Sequence, residues 1–157
     1  IISIDETIIG WFITIICYYP FYLLISIYMP MMTNDFAFFI NETITLFVWA
    51  LLIPLHIFKL WSIFSLGWKC SNLTNRGIVN SCAFKYIRHP HYLCKLLIWW
   101  ITFLPILLTN PVYIIGMLCW TFIYIIRAKT EEIHLLKDKN YFEYTKKVKY
   151  RFIPKVY

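Results

Sequence analysis

Four apolar stretches, spaced by short polar segments, constrain this sequence more than any other feature in it. They run over about 8–29, 43–66, 93–109 and 111–127. A helix that crosses a bilayer needs about 20 apolar residues, with a range of about 17–25. The first two stretches meet that length, and the third sits at its lower edge. Pro20 should kink the first, while Pro54 and His56 fall near the middle of the second. Asn110-Pro111 leaves room only for a tight turn, so the last two stretches read as a membrane hairpin. The expected fold is all-α: a single membrane domain over 1–157, built as a bundle of about four transmembrane helices. The segment 128–157 is expected to be a surface tail of one or two amphipathic helices that ends before Pro154, with Ile133, Leu136, Tyr141, Tyr144 and Val148 on one face.

Composition supports lipid as the solvent. The chain is 61% hydrophobic and 15% charged, with a mean hydropathy of +0.64, whereas soluble domains run nearer to half apolar and a quarter charged. The net charge of +7 is unevenly placed: no Lys or Arg precedes Lys59, and Asp5, Glu6, Asp35 and Glu42 lie in that first part. Residues 67–95 carry Lys69, Arg76, Lys85, Arg88 and Lys95 without an acid, and nine of the 15 basic residues lie from Arg127 onward. These cations flank apolar spans, which points to topology and anionic membrane lipids rather than to nucleic acid. Four crossings with that bias place both termini on the cytoplasmic or equivalent inner side. The five cysteines form no C-x-x-C pair, so neither a disulfide framework nor a metal site is expected.

Two polar clusters can carry chemistry. Tyr86-Ile87-Arg88-His89-Pro90-His91-Tyr92 precedes the third stretch, where Arg and His beside a rigid proline can position an anionic group; a snorkelling Arg and an interfacial Tyr would also explain it. Arg127-Ala128-Lys129-Thr130-Glu131-Glu132-Ile133-His134 ends the fourth. Paired carboxylates are costly at a membrane boundary; they can hold a cationic ligand, and His134 can move a proton. Alternatively, Arg127 and Lys129 neutralise the pair at a wet helix end. Read together, the clusters gain weight, because a hairpin over 93–127 returns 88–92 and 127–134 to the same face of the membrane.

The stretch from Ile78 to Tyr92, ending in Arg88-His89-Pro90-His91-Tyr92, resembles the R-H-P-x-Y motif of the isoprenylcysteine carboxyl methyltransferase and phospholipid methyltransferase superfamily. The later elements of that pattern, a Glu pair and a Y-x-x-Y tail, are matched in order by Glu131-Glu132 and by Tyr141, Tyr144, Val148 and Ile153-Pro154. The resemblance covers about residues 76–157. Family members often have Gly-Pro where Cys82-Ala83 stands, Gly where Cys94 stands, and a further Gly near Asp138. The tail also resembles the end of membrane sterol reductases, which use NADPH, although this chain is too short for their full bundle.

The resemblance implies an S-adenosylmethionine-dependent methyltransferase acting on a lipid-soluble acceptor, a lipid amine or a prenylated cysteine carboxylate. It implies that His89, Pro90, Tyr92 and Glu131 enclose the cofactor, with Glu131 at its amino group or ribose. Arg88 and Glu132 would face the reacting end, and His134 is a candidate proton carrier. The four glycines supply no Gly-rich nucleotide loop of a soluble methyltransferase. The alternative expectation is a non-catalytic relative that serves as a structural subunit among membrane protein partners.

Overall fold

The computed structural model describes residues 1–23, 38–71 and 73–154. The chain is mostly helical. Among the described residues three helices are long and apolar enough to cross a membrane: α2 (Glu42–Leu66, continued by a 3-10 turn to Lys69), α3 (Pro90–Thr109) and α4 (Val112–Leu135). A short α1 (Ile8–Ile16) precedes them and α5 (Lys139–Lys147) follows. Two short strands, β1 (Ser3–Ile4) and β2 (Thr74–Asn75), pair antiparallel with Ser3 opposite Asn75.

Local chemistry sets the helix ends. The Thr7 hydroxyl accepts from the Gly10 amide at 3.1 Å, capping α1, while the Asp5 carboxylate accepts from both the amide and the hydroxyl of Thr7. Gly10 is required there, since a Cβ would lie 2.1 Å from Asp5 Oδ2. The side chain of Asn41 caps α2, and Gly67 ends it with a φ of +51° that disfavours other residues. Pro90 opens α3 at the first-turn position where its missing N–H costs nothing. Asn110 Oδ1 accepts from the Val112 amide at 3.2 Å, which closes the turn between α3 and α4.

The core lies in the hairpin. Met117, Trp120, Tyr124 and Ala128 recur along one face of α4 and meet Tyr92, Leu96, Phe103 and Leu107 of α3. The helices follow one another in a row, with α1 against α4, α4 against α3, and α3 against α2. The outer faces of α2, α3 and α4 carry exposed Leu, Ile, Phe and Trp side chains that in water would be unfavourable and in lipid are solvated. The chain is an integral membrane protein.

The helices depart from the expected bounds in three places. In the first apolar stretch, α1 stops at Ile16, and residues 24–29 of that stretch lie outside the described residues. The third stretch begins earlier, at Pro90. The fourth runs unbroken to Leu135, so the Glu pair sits within a helix rather than in a tail. Beyond it, Tyr141, Tyr144 and Val148 are buried with Ile78 and Leu135, whereas Ile133 and Leu136 are 60% and 42% exposed. The tail's tyrosines therefore pack on protein, and the two apolar residues at the end of α4 do not share their face.

Candidate functional site

The hairpin does bring the two polar clusters together. His89, in the turn before α3, and Glu132, in the last turns of α4, meet with His89 Nε2 at 3.1 Å from Oε1. A carboxylate accepts only, so His89 carries its hydrogen on Nε2. One turn into α3, the Tyr92 hydroxyl donates to Glu131 Oε2 at 2.9 Å. The His89 and Tyr92 rings are parallel within 2° and 5.4 Å apart.

Glu132 holds three partners at once. Arg151 Nε donates to Oε2 at 2.7 Å, Arg88 Nε stands 3.3 Å from Oε1, and His89 shares that oxygen. Its exposure is 1%, and the guanidinium groups compensate its charge as burial demands. The backbone ties the same parts: the amides of Arg88 and His89 donate to the carbonyls of Tyr150 and Arg151 at 3.0 and 2.9 Å. The chain after α5 thus straps the Arg88-His89-Pro90 turn, and Phe152 enters the hairpin core.

These residues border a cleft with an enclosed volume of about 120 Å³ that opens to the surface. Arg88, His89, Tyr92, Glu131 and His134 line it; Pro90 and Glu132 stand behind the lining. The opposite wall is the segment between α2 and α3, including Lys69, Thr74 and Gly77, and the floor includes Tyr141 and Tyr144. Glu131 is the carboxylate among several cations and imidazoles there. The Tyr144 hydroxyl donates to the Phe84 carbonyl at 2.6 Å, and burial pushes the phenols of Tyr141 and Tyr144 well above the ordinary range. His134 Nε2 lies 3.3 Å from Ser3 Oγ, and its buried Nδ1 has no partner among the described residues.

Residues 75–77, ahead of the motif, had no signature to mark them, yet they form part of the wall because their polar groups are tied down. Asn75, 1% exposed, donates to Asp138 Oδ2 at 2.8 Å and accepts from the Gly77 amide at 2.8 Å. Gly77 has a φ of +100°, the one signal of this turn that sequence offers. Arg151 was likewise indistinguishable from the other tail cations. Arg127 turns away from the Glu pair as an ion-pair partner and lies instead against the rings of Tyr92, Tyr18 and Tyr124.

Such an arrangement defines a class: an integral membrane protein whose helical hairpin carries, at one end, a cleft with one carboxylate, aromatic faces and a ring of cations. The sequence profile of the isoprenylcysteine carboxyl methyltransferase (ICMT) family matches residues 43–137, which include both the Arg88–Tyr92 turn and the Glu pair. The chain belongs to that family of membrane methyltransferases. No curated protein matches it.

Proposed function

We propose that the chain transfers a methyl group from S-adenosylmethionine to a lipid-soluble acceptor, with the cofactor in the cleft beside Glu131. The observation that carries this reading is the placement of Glu131: a carboxylate held by Tyr92, lining a cleft next to the stacked His89 and Tyr92 rings. A sulfonium cofactor brings a positive methyl donor, an ammonium, a carboxylate and ribose hydroxyls. Each has a counterpart here. Glu131 accepts from the ammonium or the ribose, and aromatic faces stabilise a cation. Lys69 and Arg88 supply positive charge for a carboxylate.

Within this reading His89, Pro90, Tyr92 and Glu131 are the cofactor-binding set. Pro90 contributes by fixing the turn that presents His89 and Tyr92. Arg88 and His134 border the reacting end, His134 with an unshared Nδ1 that can take a proton from an amine acceptor. Glu132 serves that end as a positioning residue, orienting Arg88 and His89 from behind. Methyl transfer asks chiefly for in-line placement in a dry site, and the strap and buried tyrosines exclude water. The acceptor, a lipid amine or a prenylated cysteine carboxylate, enters from the bilayer. The first stretch completes four crossings, with both termini on the cytoplasmic or equivalent inner side.

The test is equilibrium binding of labelled S-adenosylmethionine to the purified chain in nanodiscs. Saturable binding that Glu131→Gln weakens by about tenfold or more is expected, the loss of one charge-assisted contact. A folded protein that binds no cofactor would reject this reading in favour of a structural subunit of a membrane assembly.

A further inference from the structure

The strand β1 reaches the cleft from outside the part of the chain that the family profile matches, residues 43–137. It is fastened along its length. The Ile2 amide donates to the Asn75 carbonyl at 2.7 Å, and the Asp5 amide donates to the Leu73 carbonyl at 2.8 Å. Asp5 is 3% exposed, its carboxylate is held by Thr7, and its carbonyl accepts from the Trp11 indole at 2.7 Å. The pairing sets Ser3 opposite Asn75, a residue of the cleft wall. From there the Ser3 hydroxyl lies 3.3 Å from Nε2 of His134, near the end of α4.

His134 is 4% exposed and lines the cleft, and its buried Nδ1 has no hydrogen-bond partner among the described residues. A buried polar atom left unpaired in this way calls for an explanation, and a catalytic role is one. A serine hydroxyl accepts as well as it donates. With the imidazole hydrogen on Nε2, the tautomer that free histidine favours, Nε2 donates to Ser3 Oγ and Nδ1 keeps its lone pair. A base oriented by a third group is the arrangement that enzymes use to move protons. We propose that Ser3 is a positioning residue: β1 carries its hydroxyl to His134, so that Nδ1 stands ready as the proton acceptor for an amine substrate. This role rests on the methyltransfer reading above. In the step, the amine lone pair bonds to the methyl carbon and the S–C bond breaks with its electrons left on sulfur. The amine's N–H proton passes to Nδ1, and Nε2–H stays on Ser3. A carboxylate acceptor has no proton to give and would leave the pair idle.

The test combines imidazole NMR with single-turnover transfer, both on the full chain in nanodiscs. His134→Asn identifies the resonance among the chain's four histidines. At alkaline pH, where an ordinary imidazole is neutral, the wild-type chain should show the hydrogen on Nε2, a bare Nδ1 and a visible Nε2 proton. That proton should survive in Ser3→Thr and be lost to solvent exchange in Ser3→Ala. With labelled S-adenosylmethionine bound, Ser3→Ala should slow transfer to lipid amines by about tenfold, part of what a general base contributes. Its cofactor Kd should be unchanged, and Ser3→Thr should restore the rate to within about twofold of wild type. A hydrogen on Nδ1, an Nε2 proton indifferent to Ser3→Ala, an undiminished transfer rate in that variant, or methylation of carboxylates alone overturns the proposal. A wild-type chain that binds no cofactor rejects the methyltransfer reading, and the base role with it, whereas intact cofactor binding beside any of those four results rejects the role of Ser3 alone.

Discussion

Replacing Glu132 should unfold this protein far more readily than replacing its neighbour Glu131. Glu132 is 1% exposed and neutralises two guanidinium groups, at 2.7 Å from Arg151 and 3.3 Å from Arg88. In Glu132→Ala both cations remain in place without their counter-ion, and the penalty for breaking a buried pair is about 3–5 kcal/mol. Arg151 is less enclosed, its side chain 29% exposed. Arg151→Ala should therefore cost less, about 1–2 kcal/mol. The pair should couple by about 2 kcal/mol in a double-mutant cycle, since one bond is removed by either change. Glu131→Ala loses one hydrogen bond, from Tyr92, at the edge of a cleft; it should cost about 1 kcal/mol of stability and remove cofactor binding. The assay is denaturant unfolding in mixed micelles, with circular dichroism for the endpoint and labelled S-adenosylmethionine for binding. Equal stability losses for the two glutamates, or a coupling near zero, would refute the assignment of Glu132 as the locking residue.

Further changes follow from single contacts. Cys82 has a φ of +54°, a conformation that costs a non-glycine residue about 1–2 kcal/mol, so Cys82→Gly should raise stability by about 1 kcal/mol in the same unfolding assay. Gly10→Ala should lower it by about 1–2 kcal/mol, because the new methyl displaces the buried Asp5 carboxylate from its bonds to Thr7; hydrogen exchange at Gly10 should quicken accordingly. Asn75→Ala leaves the Gly77 amide without its acceptor and Asp138 Oδ2 without its donor, and should weaken cofactor binding by loosening the cleft wall, read as a raised Kd with helix content unchanged. The raised phenol of Tyr144 holds its proton when folded, so its contribution is intact below about pH 10 and declines as pH rises above that. Tyr144→Phe should flatten the alkaline arm of a stability–pH profile.

The membrane helices were legible because lipid imposes one simple demand, a long apolar run, on α2, α3 and α4. The hairpin and the meeting of Arg88–Tyr92 with Glu131–Glu132 followed from the short Asn110-Pro111 turn. The resemblance gave Glu131 and Glu132 different roles, but the burial of Glu132 behind the lining was not legible; one helical step of about 100° turns Glu131 toward the cleft and Glu132 toward Arg88 and Arg151. The strap by Tyr150 and Arg151 was hidden because it is made of backbone bonds, which carry no side-chain signature. The turn at Cys82 was hidden for the opposite reason, since a cysteine stands where glycine would have announced a left-handed residue. Cys82 takes a left-handed conformation at the position where the family pattern has Gly. The tail tyrosines were misplaced in environment because an amphipathic face looks the same whether it meets lipid or, as here, Ile78 and Leu135.

The most direct test of the central claim is single-turnover transfer. The chain in nanodiscs is incubated with methyl-labelled S-adenosylmethionine and a total membrane-lipid extract, beside Glu131→Gln. Label appearing in an organic-extractable product with the wild-type chain and not with the variant is the predicted result. Saturable cofactor binding with no label leaving the cofactor, across lipid amines and prenylated cysteine carboxylates alike, would contradict it.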